Sequence, residues 1–159
     1  MRRLRRFYAS VIGKKAIVAV TGAIMLLFLV GHVTGNLKVF LPDIAPGVPD
    51  IDAYAEFLRT VGEPLVPHMA ILWAVRLVLL AAVALHVVCV VQLVRHNRAA
   101  RGEGYRRRRY DRATRPARWM MVSGLVVLGF IVFHILHFTT GTIDPASFRE
   151  GEVYANLYA

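Results

Sequence analysis

Residues 16–37 read AIVAVTGAIMLLFLVGHVTGNL and contain no Lys, Arg, Asp or Glu. An α-helix rises about 1.5 Å per residue, so about 20 apolar residues cross the hydrocarbon of a bilayer. This stretch is long enough on its own. Its apolar run is too long for the core of a signal peptide, and Gly31-His32-Val33-Thr34-Gly35-Asn36 stands where a small-residue cleavage site would be. The stretch is therefore expected to remain as a membrane span.

Two further blocks follow the same rule. Residues 119–143 carry no charge, and neither do residues 77–94. The latter block is short, but an uncharged run, 64–75, precedes Arg76, so a single helix that tolerates one arginine is expected there. The predicted architecture is an all-α membrane protein, a transmembrane helical bundle forming one membrane-anchor domain over 1–159. Its spans are expected at about 15–37, 68–94 and 118–141. The segments between them are an N-terminus (1–14), a loop (38–67), a basic loop (95–117) and a tail (142–159). The one cysteine, Cys89, lies mid-helix and has no partner for an internal disulfide.

Charge sets the orientation. Arg2, Arg3, Arg5, Arg6, Lys14 and Lys15 crowd the N-terminus, and the 95–117 loop holds Arg95, Arg98, Arg101, Arg106, Arg107, Arg108, Arg109, Arg112 and Arg115. The other two polar segments are acidic on balance. The positive-inside rule then puts the N-terminus and the basic loop in the cytoplasm and the tail outside. The net charge of +10 has its source in these juxtamembrane arginines. Anionic lipid and a cytoplasmic partner account for them without nucleic acid.

Polar residues inside lipid are costly and usually have a function. His32, His86 and His134 all fall within the apolar blocks. Counted from the nearest cytoplasmic charges, His32 lies roughly 25 Å and His134 roughly 24 Å from the inner edge. The two are level-matched near the outer face, as two axial ligands of one haem iron must be. His86 lies roughly 14 Å from that edge, about 11 Å from the level of the other pair. It is a single ligand, half of a pair completed elsewhere, or no ligand. A membrane histidine can also simply hydrogen-bond a facing helix. His137, three residues after His134, is an alternative ligand on the same face.

Gly31 and Gly35 flank His32; they mark either a close helix contact or room for a flat macrocycle. Arg76 either snorkels or pairs with a haem propionate, and Lys38 and Arg59 are further propionate candidates. In the outer loop, 52–61 reads as a short amphipathic helix with Asp52 as N-cap and Gly62 as stop. Glu56 and Glu63 there are candidates to take protons from a quinol. The chain has no CxxC, no CxxCH, no nucleotide-binding glycine fingerprint and no nucleophile–base constellation. Chemistry on a soluble substrate is thus expected in another subunit.

Taken together, Lys14-Lys15, Thr21-Gly22, residues 31–37, Asp52-Ala53-Tyr54-Ala55, the Arg76-to-His86 pattern, Phe133-His134-Ile135-Leu136-His137-Phe138 and residues 148–154 resemble one family. It is the b558-type cytochrome b anchor of bacterial succinate dehydrogenase/fumarate reductase. The resemblance implies five membrane helices, usually two b haems, menaquinone as electron partner, and the bacterial cytoplasmic membrane. It also implies an iron–sulfur subunit and an FAD-bearing flavoprotein on the cytoplasmic side. Carried over, His32 and His134 hold the outer haem, and His86 supplies one ligand of the inner haem. The family's fourth and fifth helices would begin beyond Ala159, so they are expected from more of this chain or from a second anchor chain.

Overall fold

The computed structural model describes residues 2–100 and 115–158. The chain divides into two units, Met1–Glu103 and Gly104–Ala159, each taken by itself below. Among the described residues, regular structure is helical apart from one isolated bridge between Ala45 and Val48. Three stretches among them are long and apolar enough to cross a membrane: Val11–Phe40, Ala70–Ala99 and Trp119–Thr139. The chain is a multi-spanning, all-α membrane protein with three transmembrane-length apolar helices.

The first unit opens on α1 (Arg2–Ala9), a basic turn of chain with Phe7 and Tyr8 near its end. Ser10 separates it from α2 (Val11–Asn36). Ser10 has extended backbone, and its hydroxyl oxygen accepts from the Gly13 amide at 2.9 Å, covering one of the amides that a helix start leaves unpaired. Gly13 has a steric reason as well: a Cβ there would lie 1.9 Å from the Phe7 carbonyl oxygen. The cap explains why α2 begins at Val11, before the lysines that were expected to mark the edge of the span.

A 3-10 turn, Leu37–Phe40, ends the first span, and α3 (Asp50–Thr60) follows. Pro49 is the N-cap of α3, with Asp50 and Asp52 both in the first turn. The cap expected at Asp52 thus falls three residues earlier. Proline's fixed φ suits the entry, and two carboxylates then face the positive end of the helix dipole. Gly62, at φ +94°, ends this segment as expected.

Helix α4 (Ala70–Ala99) starts after Met69, a left-handed residue at φ 61° whose amide donates to the Arg59 carbonyl at 2.8 Å. That bond ties the end of α3 to the head of α4. His68 consequently lies just ahead of the helix, not in it. At the other end α4 outruns the apolar run by five residues, through Arg95 to Ala99. Arginine and alanine are good helix formers, and His96 and Arg98 suit the negative end of the dipole.

Helix α2 packs principally on α4, with α1 and α3 against its two ends. Buried apolar residues are few: Ile51, Ala82 and the fully enclosed Cys89. Leu26, Leu27, Leu80 and many others are bare to the surroundings. In water this surface would be untenable. In lipid it is the expected condition, because tails are as apolar as leucine and helices associate through small and polar residues instead.

The second unit holds α5 (Arg115–His134), a π-helical turn (Ile135–Thr139) and a short α6 (Val153–Tyr158). Pro116 stands in the first turn of α5, where its missing amide costs nothing. The span there runs from Trp119 through the π turn. Most of the basic loop, including Arg101, Arg106, Arg107, Arg108, Arg109 and Arg112, lies outside the described residues.

Candidate functional site: the membrane histidines

His86 faces α2. Its Nδ1 lies 3.0 Å from the Thr21 hydroxyl oxygen, and Thr21 is only 5% exposed. A Cβ on Gly22 would meet His86 Cε1 at 3.5 Å, so the imidazole lies against the bare backbone of α2 at this turn. Threonine, glycine and histidine are the interface residue types that let membrane helices approach closely and bond through side chains. The Thr21 hydroxyl also lies 2.7 Å from the Ile17 carbonyl on its own helix.

This contact fixes the register of the pair. His86 sits at the level of Thr21, and His32 is about three turns further on, 11 positions along α2 or about 16 Å. His32 and His86 therefore occupy different levels of the first unit. Beside Thr21, α1, α2 and α4 enclose a groove of about 440 Å³ whose walls, including Phe7, Val20, Val78 and Leu85, are apolar apart from Thr21 itself.

His32 is half-buried near the C-terminal end of α2. Phe28, one turn earlier, stacks on its ring with centroids 5.1 Å apart and planes 18° from parallel. The same spacing recurs in the second unit. Phe130 lies against the His134 ring at 5.8 Å, and Phe133 stacks on His137 at 5.5 Å. Phe138 touches both histidines, at 5.4 Å from His134 and 4.4 Å from His137. Each of these imidazoles thus has a phenyl ring one turn toward the start of its helix, which limits how the imidazole can rotate.

His134 is the last α-helical residue before the π turn, and His137 lies within it. A π turn widens a helix by one residue and is frequent at functional positions. Nδ1 of His137 is buried and has no hydrogen-bond partner among the described residues. His32 belongs to the first unit and His134 to the second.

The two glycines beside His32 differ. Nothing lies within 4 Å of where a Cβ on Gly31 would project, whereas one on Gly35 would be 2.6 Å from Tyr54 Cε1. Gly35 is a close contact between α2 and α3, and Gly31 borders open space.

The charged candidates have partners of their own. Lys38 Nζ pairs with Asp50 at 2.8 Å and lies 5.6 Å from the Tyr54 ring centre. Arg76 lies over Trp73 at 5.1 Å. Arg59, mostly buried, is 3.9 Å from Glu56, whose side chain is largely exposed. Glu63 binds His68 Nδ1 at 2.9 Å. At the opposite end of the first unit, Gln92 Nε2 donates to the Tyr8 hydroxyl at 3.1 Å. Among the described residues, no three His, Cys, Asp or Glu side chains converge as ligands for a metal ion.

A haem iron asks for something different: one imidazole nitrogen on each face, in an apolar setting. His32 and His134 are half-buried imidazoles within apolar spans, braced by phenyl rings, and Gly31 leaves space beside the first of them. Each of them, taken within its own unit, is an imidazole donor of the type such a group takes.

The Thr21–His86 bond and the repeated phenylalanine brace went unread in the sequence. The second was visible as Phe and His four apart, three times over. The first had only the polarity of Thr21 in an apolar run as a signal.

These features define a class, a helical membrane protein with polar and imidazole groups placed inside its spans. Comparison of the chain with protein-family models, curated proteins and solved structures finds no match.

Proposed function

We propose that the chain is the membrane anchor of a larger complex, holding catalytic subunits at the cytoplasmic face. The observation that carries this is the set of three apolar helices, Val11–Phe40, Ala70–Ala99 and Trp119–Thr139, in a chain without a soluble-substrate constellation. Helices α2 and α4 already pack through Thr21, Gly22 and His86, as an anchor needs.

Within that role, the finer reading is a haem b anchor of a succinate:quinone oxidoreductase in a bacterial cytoplasmic membrane. Its support is the level-matching of His32 and His134 in the sequence, their fit as imidazole donors, and the family resemblance of the motifs around them. Bound there, haem b supplies a one-electron relay between the cytoplasmic iron–sulfur and flavin subunits and menaquinone. His32 and His134 would hold the outer iron and His86 one side of an inner one. Glu56, exposed at the outer surface, and the Glu63–His68 pair would accept protons as quinol is oxidised. Arg76, Lys38 and Arg59 supply positive charge toward the propionates.

A second reading has an observation of its own. The Thr21–His86 bond satisfies the inner histidine within the helix pair, as in an anchor whose histidines only pack. A related cytochrome b anchor, of hydrogenase or formate dehydrogenase type, is the other alternative. Purification of the tagged chain from detergent-solubilised membranes, with mass spectrometry of what accompanies it, separates these. A flavoprotein and an iron–sulfur subunit with succinate-dependent quinone reduction are expected. A hydrogenase or formate dehydrogenase subunit would replace the succinate assignment, and partners without redox centres would leave the haem-free anchor.

A further inference from the structure

The hydroxyl of Thr21 has one proton and three candidate receivers. Ile17 and Val18 offer carbonyl oxygens at 2.7 and 3.2 Å, and His86 offers Nδ1 at 3.0 Å. A carbonyl oxygen can only accept. Two oxygens 2.7 Å apart need a proton between them, so the hydroxyl donates to Ile17 and turns its lone pairs toward His86. A hydrogen bond to that oxygen then requires the proton on Nδ1. A neutral imidazole carries one proton, which leaves Nε2 with its lone pair.

We propose that Thr21 is a positioning residue, holding His86 as the Nδ1–H tautomer and leaving Nε2 as the atom that ligates. Histidines bound to metals are characteristically held in this way, by a partner on the other ring nitrogen that fixes tautomer and ring direction. The surroundings favour permanence. Thr21 is buried, and the bare backbone at Gly22 lets the ring approach α2. That Nε2 meets a haem iron rests on the reading above; the tautomer does not.

The test is ¹⁵N NMR of the purified complex with histidine labelled at both ring nitrogens, the His86 signals being assigned by their loss in His86→Gln. The expected result is a protonated Nδ1 and an unprotonated or metal-bound Nε2 in the wild type. Thr21→Ser, which keeps the hydroxyl, should preserve the pattern. Where Nε2 holds no metal, Thr21→Val should convert His86 to a mixture of tautomers or to Nε2–H. Where haem is bound, Thr21→Val should also raise the midpoint potential of the inner haem, since losing the acceptor makes the ligand less basic. Thr21→Ser should leave that potential in place. A wild-type His86 protonated on Nε2 would overturn the proposal, as would a Thr21→Val spectrum identical to wild type in metal-free protein or an unmoved inner-haem potential in the loaded complex. A complex without b haem that still shows the Nδ1–H signal would refute the haem assignment while upholding the role of Thr21.

Discussion

Two contacts hold α2 in the first unit, and they are built from opposite materials. Within the span, Thr21, Gly22 and His86 join α2 to α4 by one neutral hydrogen bond and a close backbone approach. At the outer end, Gly35 and Lys38 meet Tyr54 and Asp50 of α3 through an aromatic ring and an ion pair. Both use a glycine to bring elements together. Only the outer one uses charge, because only there can water solvate what the pairing leaves over. Inside lipid a neutral donor and acceptor serve instead.

The largest expected effect is steric and belongs to the outer contact. Gly35→Val should push Tyr54 aside and destabilise the docking of α3 by about 1–3 kcal/mol, as overpacking does. Thermal unfolding of the purified complex and faster hydrogen exchange over Asp50–Thr60 would register it. An unchanged exchange pattern would mean that Gly35 and Tyr54 are not in contact.

The inner contact should yield less. Thr21→Val removes one interhelical hydrogen bond, worth about 0.6 kcal/mol on average and up to about 1.7 kcal/mol in a membrane protein. Cys89, fully enclosed on α4, reports on it. In membranes its thiol should resist maleimide until the protein is denatured, and in Thr21→Val labelling should quicken. Rapid labelling of the wild type would contradict the packing of α2 on α4.

Weaker again is the ion pair. Lys38→Met should cost about 0.2–1 kcal/mol, because Lys38 is one-third exposed and salt screens the interaction. The cost should shrink at high salt. A salt-independent loss of the same size would assign it to packing on Tyr54 and not to charge.

The smallest effect lies in the tail of the second unit. The Ser147 hydroxyl, foremost, and the amides of Ser147 and Ala146 hold the Asp144 carboxyl below its ordinary range. The lowered group favours the folded turn at pH values above the ordinary aspartate range, and that contribution fades as pH falls through the depressed value. Ser147→Ala should move the Asp144 titration upward, read from its carboxyl ¹³C shift. No movement would remove Ser147 as the cause.

Much of this was legible beforehand for a simple reason. Membrane spans are announced by long uncharged runs, and nothing in the interior of a bilayer can contradict such a run. The three spans needed no more than that, whereas the short helix of the 38–67 loop was read from its amphipathic pattern and flanking residues. Their ends were harder, because ends are decided by caps. Ser10 starts α2 early, Pro49 caps α3 three residues before Asp52, and left-handed Met69 delays α4 past His68. Charged side chains carry α4 on to Ala99, where hydropathy had already fallen. Of the candidate residues, Gly35 and Gly31 could not be told apart by spacing, since only the position of Tyr54 distinguishes them. The partner of His86 was likewise invisible, because residues 65 apart meet only once the helices pack.

If the imidazoles within these spans serve a haem b anchor, a dithionite-reduced minus oxidised absorbance spectrum of the purified complex should show a b-type band that is diminished in both His32→Ala and His134→Ala. Haem is quantified as the pyridine haemochrome, and protection of Cys89 confirms that the first unit of each variant is folded. A folded complex with no b haem, or with a band untouched by either substitution, would contradict that reading.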